Sequence, residues 1–171
     1  MKRTKKKSRL LLAFNTFIFS ILLYTNCMSQ TDFDKKLKSL LSESVPFMYQ
    51  DELKNKLDSV TILDSRSEEE FTTSHIAGAK YVGYDDFDKK QVEHLDRDKP
   101  VVVYCSVGYR SEKIGEKLQE MGFKEVYNLW GGVFDWKNNG NDVVNSSGVT
   151  DSVHTYNKSW SKWLKKGQKV Y

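Results

Sequence analysis

Beyond residue 30 the chain alternates short apolar runs with polar stretches of helical period. VVVYC (101–105), after Pro100, is apolar at every position. A strand apolar on both faces belongs in the middle of a parallel sheet. SVTILD (59–64) is a second β-branched run, ending on an acid. VPFMY (45–49), AKYVGY (79–84) and EVYNL (125–129) read as three further strands. Residues 51–58 place Leu53 and Leu57 at i, i+4, and SEEEF (67–71) starts another helix. Residues 111–123 carry Ile114, Leu118 and Met121 on one face, with Gly122 as C-cap. Residues 130–140 predict a last helix, and 85–98 an irregular polar segment with a helical stretch. At the start, Phe33, Leu37, Leu40 and Leu41 share one face of a helix over 31–44. Strands alternating with helices predict an α/β fold on a mainly parallel sheet.

Residues 141–171 carry a short stripe of Trp160, Trp163 and Leu164 at i, i+3, i+4 among five lysines. Such a stripe suits a membrane surface or a partner. It equally suits a C-terminal extension docking on its own domain. The brevity of the stripe and the strand-like end favour docking.

Charge changes the picture at the N-terminus. The formal net charge is +4, but six of the 27 basic residues lie in the first nine positions. The remaining 21 face 23 acidic residues. The basic balance therefore marks a leader, not a nucleic-acid surface. The apolar run Leu10 to Tyr24 covers 15 residues, fewer than the ~20 that span a bilayer. A basic stretch, an apolar run and small residues predict a signal peptide over 1–29. Two exits are open: lipidation at Cys27, or cleavage ahead of Gln30. Both place the protein outside the cytoplasm, periplasmic or lipid-anchored in a bacterial envelope, with membrane contact only through Cys27. Residues 30–44 then form an arm.

Cys105 is the one thiol beyond Cys27. It is either a small buried hydrophobe or a reactive group. Its position at a strand end, before a helix start, favours anions. A cysteine there, beside a cation, titrates at about 3.5–7.5 in place of 8.5. Backbone N–H groups of Ser106, Val107, Gly108, Tyr109 and Arg110 could converge on its sulfur. Gly108 supplies the positive φ of such a curl, and Arg110 adds a fork of donors.

CSVGYRS (105–111) resembles the active-site loop of single-domain rhodaneses, Cys-x-x-Gly-x-Arg-Ser. ILDSRSEEEF (62–71), SHIAGAKYV (74–82) and NLWGGVFDW (128–136) resemble three other family motifs, in family order, across residues 45–140. The resemblance implies a three-layer sandwich with a central, mainly parallel five-stranded sheet flanked by helices. It implies a sulfurtransferase: Cys105 takes sulfane sulfur from thiosulfate, polysulfide or a persulfide, then passes it to a thiol, cyanide or a protein acceptor. It implies neither metal nor organic cofactor, and makes Asp64, Arg66 and Ser111 supporting residues. Glu70 is usual in single-domain members, but two-domain thiosulfate sulfurtransferases hold a basic residue there that grips the donor. Ser74 and Gly83 stand where the family commonly has glycine and proline.

Two other readings stay open. One is a non-turnover module that carries sulfur to a partner. The other is phosphatase or arsenate-reductase chemistry on a related scaffold, whose signature is Cys-x5-Arg. Here the sixth residue after Cys105 is Ser111, and the arginine comes one position early. Of the remaining residues, His75 reads as structural, His94 as solvated, Trp130 and Trp136 as core, and Tyr109 as the rim of a pocket.

Overall fold

The structure is a computed structural model in which residues 31–171 are described. The expected leader and Cys27 lie outside the described residues. No described helix is long and apolar enough to cross a membrane.

Five short strands form the central sheet: β1 (Phe47–Met48), β2 (Thr61–Asp64), β3 (Lys80–Tyr81), β4 (Val101–Tyr104) and β5 (Val126–Leu129). Their order is β1-β5-β4-β2-β3, with every pair parallel. This is the α/β sandwich that the alternating pattern and the resemblance predict. The helices are α1 (Asp32–Leu40), α2 (Gln50–Lys54), α3 (Glu68–Thr73), α4 (Tyr109–Glu120) and α5 (Gly132–Asn138).

β4 shows why its sequence is apolar throughout. Successive strand side chains point to opposite faces. Val101 and Val103 join Leu63, Val126, Ile114 and Leu118 in one core. Val102 and Tyr104 join Ile62, Leu37, Leu53, Val133 and Phe134 in the other. With helices over both faces, β4 has no polar side, and its four residues are fully buried.

Two segments differ from the sequence expectation. The helix expected from 111 begins at Tyr109, so Tyr109 and Arg110 belong to its first turn, not to the loop. The helical stretch expected within 85–98 is present as a single turn over Lys89–Gln91, capped by Asp88. The extension carries four three-residue strands and one short helix. β6 (Val143–Asn145) pairs antiparallel with β7 (Gly148–Thr150), and β8 (Ser152–His154) pairs parallel with β9 (Gln168–Val170). Its helix, α6 (Lys158–Ser161), holds only part of the aromatic stripe. Val143, Val153 and Leu164 are buried in the same core as Val102 and Tyr104. Trp163 stacks on Phe33 at 5.4 Å.

A buried ion pair fixes the loop after β2. Arg66 and Asp64 are both fully buried. Arg66 donates from Nη2 to Asp64 Oδ2 at 2.7 Å, from Nε to Oδ1 at 3.0 Å, and from Nη2 to Ser74 O at 2.6 Å. Burial opposes the charge on Arg66, but Asp64 outweighs it and holds the guanidinium protonated. Removing one partner of such a pair leaves an uncompensated buried charge. Asp64→Ala is therefore expected to lose about 3–5 kcal/mol of stability. Denaturant unfolding checks this, and a loss below ~1 kcal/mol would show that the pair is dispensable.

Candidate active site

The loop at the carboxyl end of β4 is held from three sides. From β5, Asn128 donates through Nδ2 to Gly108 O at 2.9 Å. Ser111 donates to Asn128 Oδ1 at 2.8 Å. From α5, the amides of Val133 and Phe134 donate to the carbonyls of Cys105 and Ser106 at 2.9 and 3.2 Å. This approach requires glycine at 132. A Cβ there would stand 2.2 Å from Cys105 O, and its φ is +56°. From α3 comes Glu70, discussed below.

Gly108, at φ +115°, turns the chain into α4. Its amide donates to Cys105 Sγ at 3.1 Å. Cys105 is 1% exposed. Burial pushes the thiol pKa up, but the Arg110 charge and the polar hydrogens of the loop and the first turn of α4 around the sulfur outweigh it. The net direction is down, towards thiolate.

Glu70 holds the loop from α3. It is 1% exposed. Its backbone N–H donates to the Ser67 hydroxyl at 3.3 Å, and its carboxylate accepts from Ser67 N at 3.1 Å. This capping box starts α3 and aims the carboxylate. Arg110 then grips it with Nη1 and Nη2 at 2.7 and 2.8 Å, and Ser106 Oγ donates at 2.7 Å. Burial alone would raise the Glu70 pKa. The Arg110 hydrogen bonds and charge, with help from Arg66, hold it down at about 2.

A cavity of about 330 Å³ opens over the sulfur, lined by Cys105, Ser106, Val107, Tyr109 and Arg110 together with Leu40, Tyr156 and Trp160. Among the expected site residues, five thus meet at one cavity. Gly108 reaches the sulfur through its amide, and Ser111 lies buried behind it. Asp64 and Arg66 stand outside the lining and brace the β2 loop. Tyr109 is 43% exposed at the rim. His75 pairs with Val144 through its backbone and stacks on Phe71 at 4.0 Å. Among the described residues no cluster of three His, Cys, Asp or Glu side chains is placed to hold a metal ion.

Sequence reasoning missed Asn128, Leu40, Tyr156 and Trp160. Asn128 had a signal, being the one polar residue inside VYNL, where burial demands a partner. The other three come from outside the loop's own motif, and only the tertiary fold brings them in.

Residues 49–139 match the family model of the rhodanese-like domain. The chain belongs to that family. Its rhodanese-like part is 40% identical over 86 residues to thiosulfate sulfurtransferase GlpE of Coxiella burnetii, covering 50% of this chain and 78% of that one. It is 32% identical over 98 residues to the putative sulfur carrier protein YrkF of Bacillus subtilis, covering 56% and 52%. A rhodanese-related protein of Thermoplasma volcanium has a similar solved structure, with TM-score 0.53, 27% identity and coverage of 58% and 97%. The rhodanese-like domain of an Anabaena protein gives TM-score 0.54 at 26% identity, covering 58% and 79%. Leu40, Tyr156 and Trp160 fall outside the matched rhodanese residues.

The rhodanese loop in this chain carries a pH prediction. Alkylation of Cys105 by iodoacetamide should rise with pH through a midpoint below the ordinary thiol value of about 8.5. Arg110→Met removes the largest favourable contribution and should move the midpoint upward. A midpoint at or above that of free cysteine in the native protein would contradict the cradle.

Proposed function

We propose that this protein is a sulfurtransferase that carries sulfane sulfur as a persulfide on Cys105. The observation that carries this reading is the Cys105 sulfur, buried at the floor of a cavity and hydrogen-bonded by the Gly108 amide. Hydrogen bonds and the Arg110 charge favour its thiolate. The thiolate is the nucleophile and needs no neighbouring base once its pKa is low.

In the first half-reaction the Cys105 thiolate attacks the outer sulfur of a donor. The donor's S–S or S–SO₃ bond breaks, and its electron pair leaves with the remaining thiolate or sulfite. In the second, an acceptor thiolate or cyanide attacks the outer sulfur of the Cys105 persulfide. The electron pair of that S–S bond returns to Cys105. The Gly108 amide steadies the anion at both stages, as fixed donors do for developing charge. The family membership and the similarity to a named thiosulfate sulfurtransferase support this reading. The similarity to a named sulfur carrier supports a second reading, a single hand-over to one partner protein. Multiple turnovers on a small acceptor separate the two.

The proposal includes export. The basic and apolar leader pattern supports a periplasmic or lipid-anchored protein. A lone thiol in an oxidising compartment has no internal partner with which to form a disulfide.

Intact mass of the purified protein tests the chemistry. Incubation with inorganic polysulfide should add one sulfur atom, and cyanide should remove it. Cys105→Ser should abolish the gain, because a hydroxyl is not ionised at neutral pH. Sulfur loading that survives in Cys105→Ser would overturn the mechanism.

A further inference from the structure

Part of the wall of the cavity over Cys105 is built by residues outside the rhodanese-matched segment. Leu40 comes from α1, and Tyr156 and Trp160 come from the extension. Val107 and Tyr109 complete an apolar and aromatic lining. Among the described residues that line it, Arg110 is the one cation.

That cation is already engaged. Both terminal nitrogens of Arg110 point at Glu70, at 2.7 and 2.8 Å. The Tyr156 ring stacks near its guanidinium carbon, 5.2 Å from the ring centroid. A second cavity that Arg110 also lines is bounded by Glu68, Asp85 and Asp86. Lys36 sits on the Trp160 ring, 5.7 Å from its centroid, and is not among the lining residues. An anionic substrate entering here would shed water with no unengaged charge to replace it. An apolar body would gain by burial against three rings.

Tyr156 adds an independent sign. It is a non-glycine residue at φ +64°, a left-handed conformation that most side chains avoid. Burial does not repay this, because Tyr156 is 56% exposed. The turn that holds it is firmly built. His154 Nδ1 accepts from the Tyr156 amide at 3.2 Å, and Asn157 caps α6. Strain kept at an exposed residue, over a nucleophile's cavity, fits a binding role better than a packing role.

We infer that the sulfur acceptor of Cys105 is a thiol on an uncharged apolar or aromatic body, selected by a wall of Leu40, Tyr156 and Trp160. The inference rests on the persulfide reading of the site. In the step it concerns, the acceptor thiolate R–S⁻ attacks the outer sulfur of Cys105–S–SH. The bond between Cys105 Sγ and that sulfur breaks, and its electron pair stays on Cys105 as thiolate. The products are Cys105–S⁻ and R–S–SH, with the proton remaining on the transferred sulfur. The acceptor thiol is oxidised to the persulfide level, and Cys105 is reduced to thiolate.

The test separates loading from unloading. The full-length protein is loaded with inorganic polysulfide and the Cys105 persulfide confirmed by intact mass. Unloading is then timed with benzyl mercaptan and with 2-mercaptoethanesulfonate, each rate corrected for its thiolate fraction. The aromatic thiol should be faster by about tenfold or more. Tyr156→Gly relieves the positive φ while removing the ring, so the variant folds without the strain of the native residue. In it the rate ratio should fall to within about threefold, and in Tyr156→Phe it should persist. Equal rates in the native protein, or a ratio untouched by Tyr156→Gly, would overturn the inference while leaving the persulfide reading intact. Failure of polysulfide to load Cys105 would overturn both.

Discussion

The ion pair between Glu70 and Arg110 is the interaction on which the site depends. A carboxylate 1% exposed has to be compensated, and the bidentate guanidinium does so. The pair joins the first turn of α3 to the first turn of α4 across the mouth of the Cys105 loop. Ser106 completes it from within the loop. The pair thereby ties the first turn of α4 to α3, two residues beyond the Gly108 amide that meets the sulfur. Arg110 serves two anions at once, Glu70 by contact and the Cys105 thiolate through its field.

Much of the architecture was legible because it is local or periodic. VVVYC reads as a central strand because every position is apolar, and the structure buries both of its faces. The Cys105 loop was legible because its chemistry lies within seven consecutive residues. The start of α4 was not, since Tyr109 and Arg110 follow a glycine and look like loop until Gly108 is seen to turn directly into the helix. The extension was the least legible part. Its three-residue strands are too short for periodicity to declare, and Leu164 is buried by long-range packing, not by a helical stripe. The second partner of Arg110 was hidden for the same reason. The arginine's motif position suggests a hand for the donor, and only the fold shows Glu70, forty residues away in sequence, holding it.

The structure thus divides labour along the chain. The rhodanese-matched residues supply the nucleophile, its amide donor and the Glu70–Arg110 pair. The arm and the extension supply the outer wall of the cavity and share one core with it. Variation in those flanking segments would change which molecules reach Cys105 without altering the sulfur chemistry beneath.

The central claim is that Glu70 engages Arg110 and so withholds it from anionic donors. The direct measurement is the rate at which thiosulfate loads Cys105 in Glu70→Gln, relative to the native protein, with polysulfide loading as the internal reference. Removing one negative charge a few ångströms from the guanidinium should raise the thiosulfate rate about tenfold or more against that reference. An unchanged or slower rate would mean that Arg110 is not held back by Glu70, and would contradict the account.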